Sequence, residues 1–300
     1  MLWMGGCILR SDKLAGKQMA LWTAAAMSAP LAIYAGKTSW ENTLLTGIVC
    51  VGGVLLVLRY GNSEYGRLLR LGQLVVLSLV AGVFSREVPG CWGEDSGSMP
   101  LVMIALAALS AGNRAGAAGK VCCCIAWIIT ILYTIVLAAG VKNVEWSRLL
   151  EVGYYHEMVI VAFLLPAVWL LIPAKRSGGA ILLSMLLFGV MISMLCFGTL
   201  SANGMADTKL PIYQYSKSLT LLGIAERFEA LASVSLTLGL FCTLSLLLSG
   251  AEEMIKHGAV IAALIASINV PISPLYVVVL TLFAWIILPL VMCIKKVKKR

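Results

Sequence analysis

The chain has 300 residues, 60% of them hydrophobic and only 12% charged, with a mean hydropathy of +0.95. Soluble domains are about 45–50% apolar and about 25% charged, so a water-soluble globule is excluded, whereas a bilayer accommodates such a composition. The net charge of +9 does not indicate nucleic acid, because the basic residues lie in short links between apolar runs and form no patch.

Residues 1–17 are expected to be a cytoplasmic lead. The apolar run in MLWMGGCILR spans only about 7 residues, and its positive charge follows where a signal peptide would have it lead. Ten apolar runs come next, at roughly 18–36, 43–58, 68–84, 98–113, 121–141, 155–174, 178–200, 228–249, 257–270 and 274–294. A helix crosses a bilayer with about 20 such residues. The pattern predicts an all-α integral membrane protein of about ten transmembrane helices, a single domain over 18–294, followed by a basic tail at 295–300.

Placing the first link outside puts 16 of the 23 basic residues on one side, among them Arg10, Arg59, Arg114, Lys175 and the tail. Ten of the 14 acidic residues fall on or near the other side. Basic residues collect in the cytoplasm, so both termini of a multi-pass protein are expected there. Trp40, Trp92 and Trp146 fall at outer ends, as an interfacial belt requires.

The runs divide into halves at 18–141 and 155–294. Five spans per half would invert one half relative to the other, the plan of many secondary transporters. The halves show no residue-level repeat, so the symmetry rests on topology. The longest link, 201–227, leads into an apolar stretch from Ser218 to Ser249, 32 residues long and about 48 Å as one helix. Part of 212–227 is therefore expected to lie over the outer surface as an amphipathic cap.

Nine cysteines are present, and only Cys91 falls in a polar outer link. They lack the paired spacings of a disulfide framework or a zinc site. Cys122, Cys123 and Cys124 are adjacent, so on a helix they point about 100° apart and do not converge on a metal. No cofactor is expected. Enzymatic chemistry is not expected either: the only histidines, His156 and His257, fall on opposite sides, and no acid/base set converges at one depth.

Ionisable groups and helix breaks inside the membrane are the candidate functional features. Pro30 lies in the middle of span one, in TAAAMSAPLAIYAG, and deprives the helix of a hydrogen bond. Met27, Ser28, Ala29 and Pro30 would then line either a discontinuous helix or a simple kink. Tyr154, Tyr155, His156 and Glu157 open span six after a glycine. They read as an interfacial pair with its turn, or as a break whose free backbone holds a ligand. Glu226, Arg227 and Glu229 cluster before span eight, with Glu226 and Glu229 on one face, as a solvated outer cap or a gate. Lys120 begins span five and either snorkels to the interface or reaches inward.

The stretch LCFGTLSANGMADTKLPIYQYSKSLTLLGIAERFEALASVSLTLGLFCTLSL resembles the seventh-to-eighth span region of spore germination permeases, the B subunits of germinant receptors. Gly198, Pro211, Glu226–Arg227, Gly239 and Ser245 fit that pattern. Lys17–Gln18, Pro30 and Ala35-Gly36-Lys37-Thr38-Ser39-Trp40 resemble the family's opening. Ala111 to Lys120 resembles its Ala…Arg block, and His156-Glu157 with Pro166 its sixth span. The resemblance implies the amino acid/polyamine/organocation transporter fold, a five-plus-five inverted repeat with spans one and six broken at the substrate site. It also implies a small amino-acid-like ligand and partner membrane subunits of a receptor complex. The chain departs from the pattern at Leu236, where tryptophan is usual. It departs again at Ala26-Met27-Ser28-Ala29, where glycines are expected, and before His156, where half of span six is nearly absent. Two other roles are open: a non-transporting scaffold subunit, and a general amino acid transporter.

Overall fold

A computed structural model describes residues 16–34, 67–87, 97–113, 115–140, 210–219, 228–268 and 272–291. These residues are helical apart from short turns, and no strand occurs among them. In chain order the helices are α1 (Gly16–Tyr34), α2 (Arg67–Glu87), α3 (Met99–Asn113), α4 (Ala115–Gly140) and α5 (Pro211–Ser218). They continue with α6 (Phe228–Met254), α7 (Gly258–Ser267) and α8 (Pro274–Leu282), the last running on through a π turn at Phe283–Ile287. Three stretches are long and apolar enough to cross a membrane: Leu69–Arg86, Ala117–Gly140 and Phe228–Met254. Met99–Gly112, Gly258–Ser267 and Tyr276–Val291 are shorter apolar helices. Large apolar side chains such as Leu109, Trp127, Leu264 and Tyr276 lie outward and are 60–67% exposed, more apolar surface than a soluble protein shows to water. The chain is a helical membrane protein.

Helices α1, α2, α3, α4, α6, α7 and α8 coincide with the first, third, fourth, fifth, eighth, ninth and tenth apolar runs. The runs at 43–58, 155–174 and 178–200, the lead up to residue 15 and the basic tail lie outside the described residues. α4 starts at Ala115 and not at 121, because the Ala/Gly segment before Lys120 continues the helix. Lys120 is thus the sixth residue of α4 and is exposed.

α6 is the axis of the bundle and packs against α1, α2, α3, α4, α5 and α7. Its sequence mixes Ser, Thr and Gly evenly among apolar residues, as suits a helix that is buried all round over its second half, from Cys242 to Ala251. Several hydroxyls are satisfied within the helix: Ser235 donates to the Leu231 carbonyl and Thr237 to that of Ser233, both at 2.8 Å. This allows polar residues to be buried without cost to neighbouring helices.

At one end, α6 turns into α7 through His257 (φ 63°). The Glu252 carboxylate accepts from the backbone N–H groups of His257 and Ala259, both at 3.1 Å. It thereby satisfies donors that a helix start leaves open and complements their partial positive charge. Glu252→Ala is expected to cost about 1 kcal/mol, read as a lower midpoint when detergent-solubilised protein is heated and its monodisperse fraction followed. At the other end of α7, the Arg86 guanidinium of α2 donates to the Ile268 carbonyl at 2.6 Å, a cation at a helix C-terminus.

Within 212–227, where an amphipathic cap is expected, α5 is amphipathic, with Ile212, Tyr215 and Ser216 buried and Lys217 exposed. Pro211 occupies the first helical turn, where a missing N–H costs nothing. Tyr215 donates to the Gly140 carbonyl at 3.2 Å, seating α5 on the end of α4. Residues 220–227 lie outside the described residues. Tyr215 meets Gly140, Arg86 meets Ile268 and the Cys123 thiol meets the Gln18 carbonyl. Each pairing joins ends that the charge distribution assigns to the same side.

Candidate functional site

The middle of α1 meets the middle of α6, and the contact is built around Pro30. Proline has no N–H, so the carbonyl four residues earlier, that of Ala26, has no α-helical partner. In an apolar interior such an orphan costs several kcal/mol. The Thr243 hydroxyl of α6 donates to the Ala26 carbonyl at 2.5 Å. The same oxygen lies 2.9 Å from the Gly239 carbonyl, so its single proton is shared between a back-bond within α6 and the bond to α1.

The broken span one expected at Met27–Pro30 is therefore corrected: α1 runs unbroken from Gly16 to Tyr34 with Pro30 inside it. Thr243 supplies the hydrogen bond that Pro30 removes, and the helix has no need to unwind. Met27, Ser28, Ala29 and Pro30 are all buried, and Ser28 donates back to the Ala25 carbonyl at 2.6 Å. They present side chains to α6, next to the Ala26 carbonyl that Thr243 holds.

Small residues make this approach feasible, as at other membrane helix crossings. A Cβ at Gly239 would stand 2.5 Å from Ser28 Oγ and 3.1 Å from both the Cβ and the backbone N of Ala29. Glycine at 239 is thus required by the nearness of α1.

The other expected site residues separate. Ser245, buried on α6, shares a hydrogen bond of 3.2 Å with Ser110 of α3, one turn from the α1 contact. Glu229 is half-buried in the first turn of α6, where a carboxylate complements the helix dipole. Lys120 is exposed and points away from the core. Tyr154, Tyr155, His156, Glu157, Glu226 and Arg227 lie outside the described residues.

Thr243 is the member of this contact that sequence reasoning missed. Its signal is a proline in an apolar helix, which demands a donor from some neighbour, but nothing in sequence identifies a threonine 217 positions away. A parallel occurs on α8, where Gln73 of α2, itself buried, donates to the Ala284 carbonyl at 3.2 Å inside the π turn. Both sites consist of a main-chain acceptor released by an irregular helix and taken by a neighbour's side chain. Such an acceptor offers a place for an ammonium or another N–H donor whenever the side chain withdraws. Searches of protein-family models and of curated proteins find nothing that matches this chain.

Proposed function

We propose that the chain is a membrane subunit of the spore germination permease type, a germinant-receptor B-like permease that senses a small amino-acid-type ligand. In this reading ten spans form a five-plus-five inverted repeat with both termini in the cytoplasm, and partner subunits complete the receptor. The observation that carries it is the buried carbonyl of Ala26, released by Pro30 and held by the hydroxyl of Thr243. The ligand's ammonium group would displace Thr243 from that carbonyl, and the backbone near Tyr154–Glu157 would hold the carboxylate.

A second reading, a non-transporting scaffold subunit, is favoured by the continuity of α1 and the tight seal against Gly239. Binding separates the two. Purified full-length protein in nanodiscs is titrated with a panel of L-amino acids by calorimetry. If Thr243 competes with the ligand, Thr243→Val removes the competitor and tightens binding about 5- to 10-fold, the worth of one hydrogen bond of about 1–1.5 kcal/mol. Pro30→Ala acts the other way: its N–H occupies the Ala26 carbonyl from within α1, and binding is lost while the fold persists. Affinity unchanged in both variants and in Glu157→Gln rules out this site. A wild-type protein that binds no amino acid yet co-purifies with partner membrane subunits is the scaffold.

A further inference from the structure

Helix α7 has only 10 residues, about 15 Å of rise, and both of its ends are defined. His257 before it is in the left-handed region and Ile268 after it is extended, with ψ 123°, so neither end prolongs the helix. Each end also carries a charge that hydrogen bonds fix in place. The Glu252 carboxylate is bound to the N–H groups of His257 and Ala259, and the half-buried Arg86 guanidinium to the Ile268 carbonyl. Long charged side chains near helix ends ordinarily snorkel to the interface, but these two would have to release the ends of α7 to do so. Lys256, His257 and Ser267 are exposed beside them, and Val260, Ile261 and Leu264 face outward in between.

We propose that the bilayer is thinned along α7 to about half its usual thickness, with lipid headgroups reaching in to Arg86. An ordinary hydrocarbon core measures about 30 Å, twice the rise of α7. At that thickness it would bury one end of the helix in lipid, together with its turn and its charge, and lipid does not sustain exposed irregular backbone. Tilting α7 only shortens its reach. A helix too short for its bilayer draws the lipid in, and the neighbouring helices grade into the dip. α3 packs against α7 and has 15 residues, about 22 Å, while α4 on its other side has 26 and regains spanning length. Beside Arg86 a cleft opens between α2 and α7, walled by Leu79, Val83, Ile265, Ile268 and Ile272. A cation at the head of an apolar cleft matches a phospholipid, with the phosphate at the guanidinium and the acyl chain below. The inference rests on helix length and pinned charges, and is independent of any ligand at Ala26.

The test measures depth in the full chain, reconstituted in dioleoyl phosphatidylcholine vesicles. The outward residues Val260, Leu264 and Ile268 are replaced one at a time by p-acetylphenylalanine, which takes a nitroxide at its ketone and leaves the native cysteines alone. Ile128, near the midpoint of α4, is labelled in the same way. It shares the exposed face of that helix with Val121 and Cys124, whereas Cys122 is turned inward. Collision of each label with oxygen and with a nickel chelate gives its depth. The expected result is a shallow maximum at Leu264, about half the depth found at Ile128, with Val260 and Ile268 both closer to the headgroups. Depth that increases steadily from Val260 to Ile268 overturns the proposal, because α7 then ends inside the hydrocarbon. Leu264 as deep as Ile128 does the same, as does a label on α7 shielded from both reagents, which would put protein and not lipid against the helix.

Discussion

Gly239→Ala is expected to push α1 away from α6 and to lower the heat-inactivation midpoint of the solubilised protein, at a cost of about 1–3 kcal/mol. The added methyl meets three atoms of α1. Ser28 Oγ could rotate aside, but rotation gives up its bond to the Ala25 carbonyl. The Cβ and backbone N of Ala29 cannot rotate, so the helices must separate by a few tenths of an ångström. That separation lengthens the Thr243 bond to Ala26 and leaves the carbonyl beside Pro30 poorly paired, so two costs arise from one methyl. Ala29→Gly in the same chain removes one of the clashing atoms and is expected to restore part of the loss. Equal midpoints for wild type and Gly239→Ala would show that the helices do not meet this closely.

The larger effect is expected at Gly258, the first residue of α7. A Cβ there would overlap the carbonyl oxygen of Ala251 and stand 2.6 Å from its carbonyl carbon. Both are backbone atoms of α6, and that oxygen also accepts the Ile255 N–H at 3.2 Å. Relief therefore requires the last turn of α6 to unwind or the hairpin to open, and opening takes Glu252 away from the donors it caps. Gly258→Ala is expected to cost about 3–5 kcal/mol and to reduce the yield of monodisperse protein. Gly72→Ala is the control. Nothing lies within 4 Å of that position, and exchanging a mid-helix glycine for alanine is worth about 0.5–1 kcal/mol of added stability. The same substitution at two glycines should thus have opposite signs.

Much of the helical plan was legible because the bilayer imposes it: apolar runs of spanning length had to be helices. A short amphipathic helix within 212–227 was legible from the length of that link, whereas Gly239 and Ser245 stood out only through the family resemblance. The state of Met27–Pro30 was not. Proline announces a missing hydrogen bond, but whether the helix opens depends on a donor from elsewhere, and Thr243 is distant in sequence. Nor could sequence distinguish Cys122 from Cys124, since the choice of face depends on which helices surround α4.

The π turn at Phe283–Ile287 has a consequence for how α8 addresses its surroundings. A turn one residue wider than α shifts everything beyond it by about 100° around the axis. Side chains before and after the turn that would share a stripe on a regular helix therefore face different directions. Val277 and Val278 are buried ahead of it, and Ala284 and Trp285 within it. Residues up to Trp285 thus keep the line that packs on α2, the residues past Ile287 swing to a new direction, and Gln73 of α2 holds the Ala284 carbonyl within the turn between them.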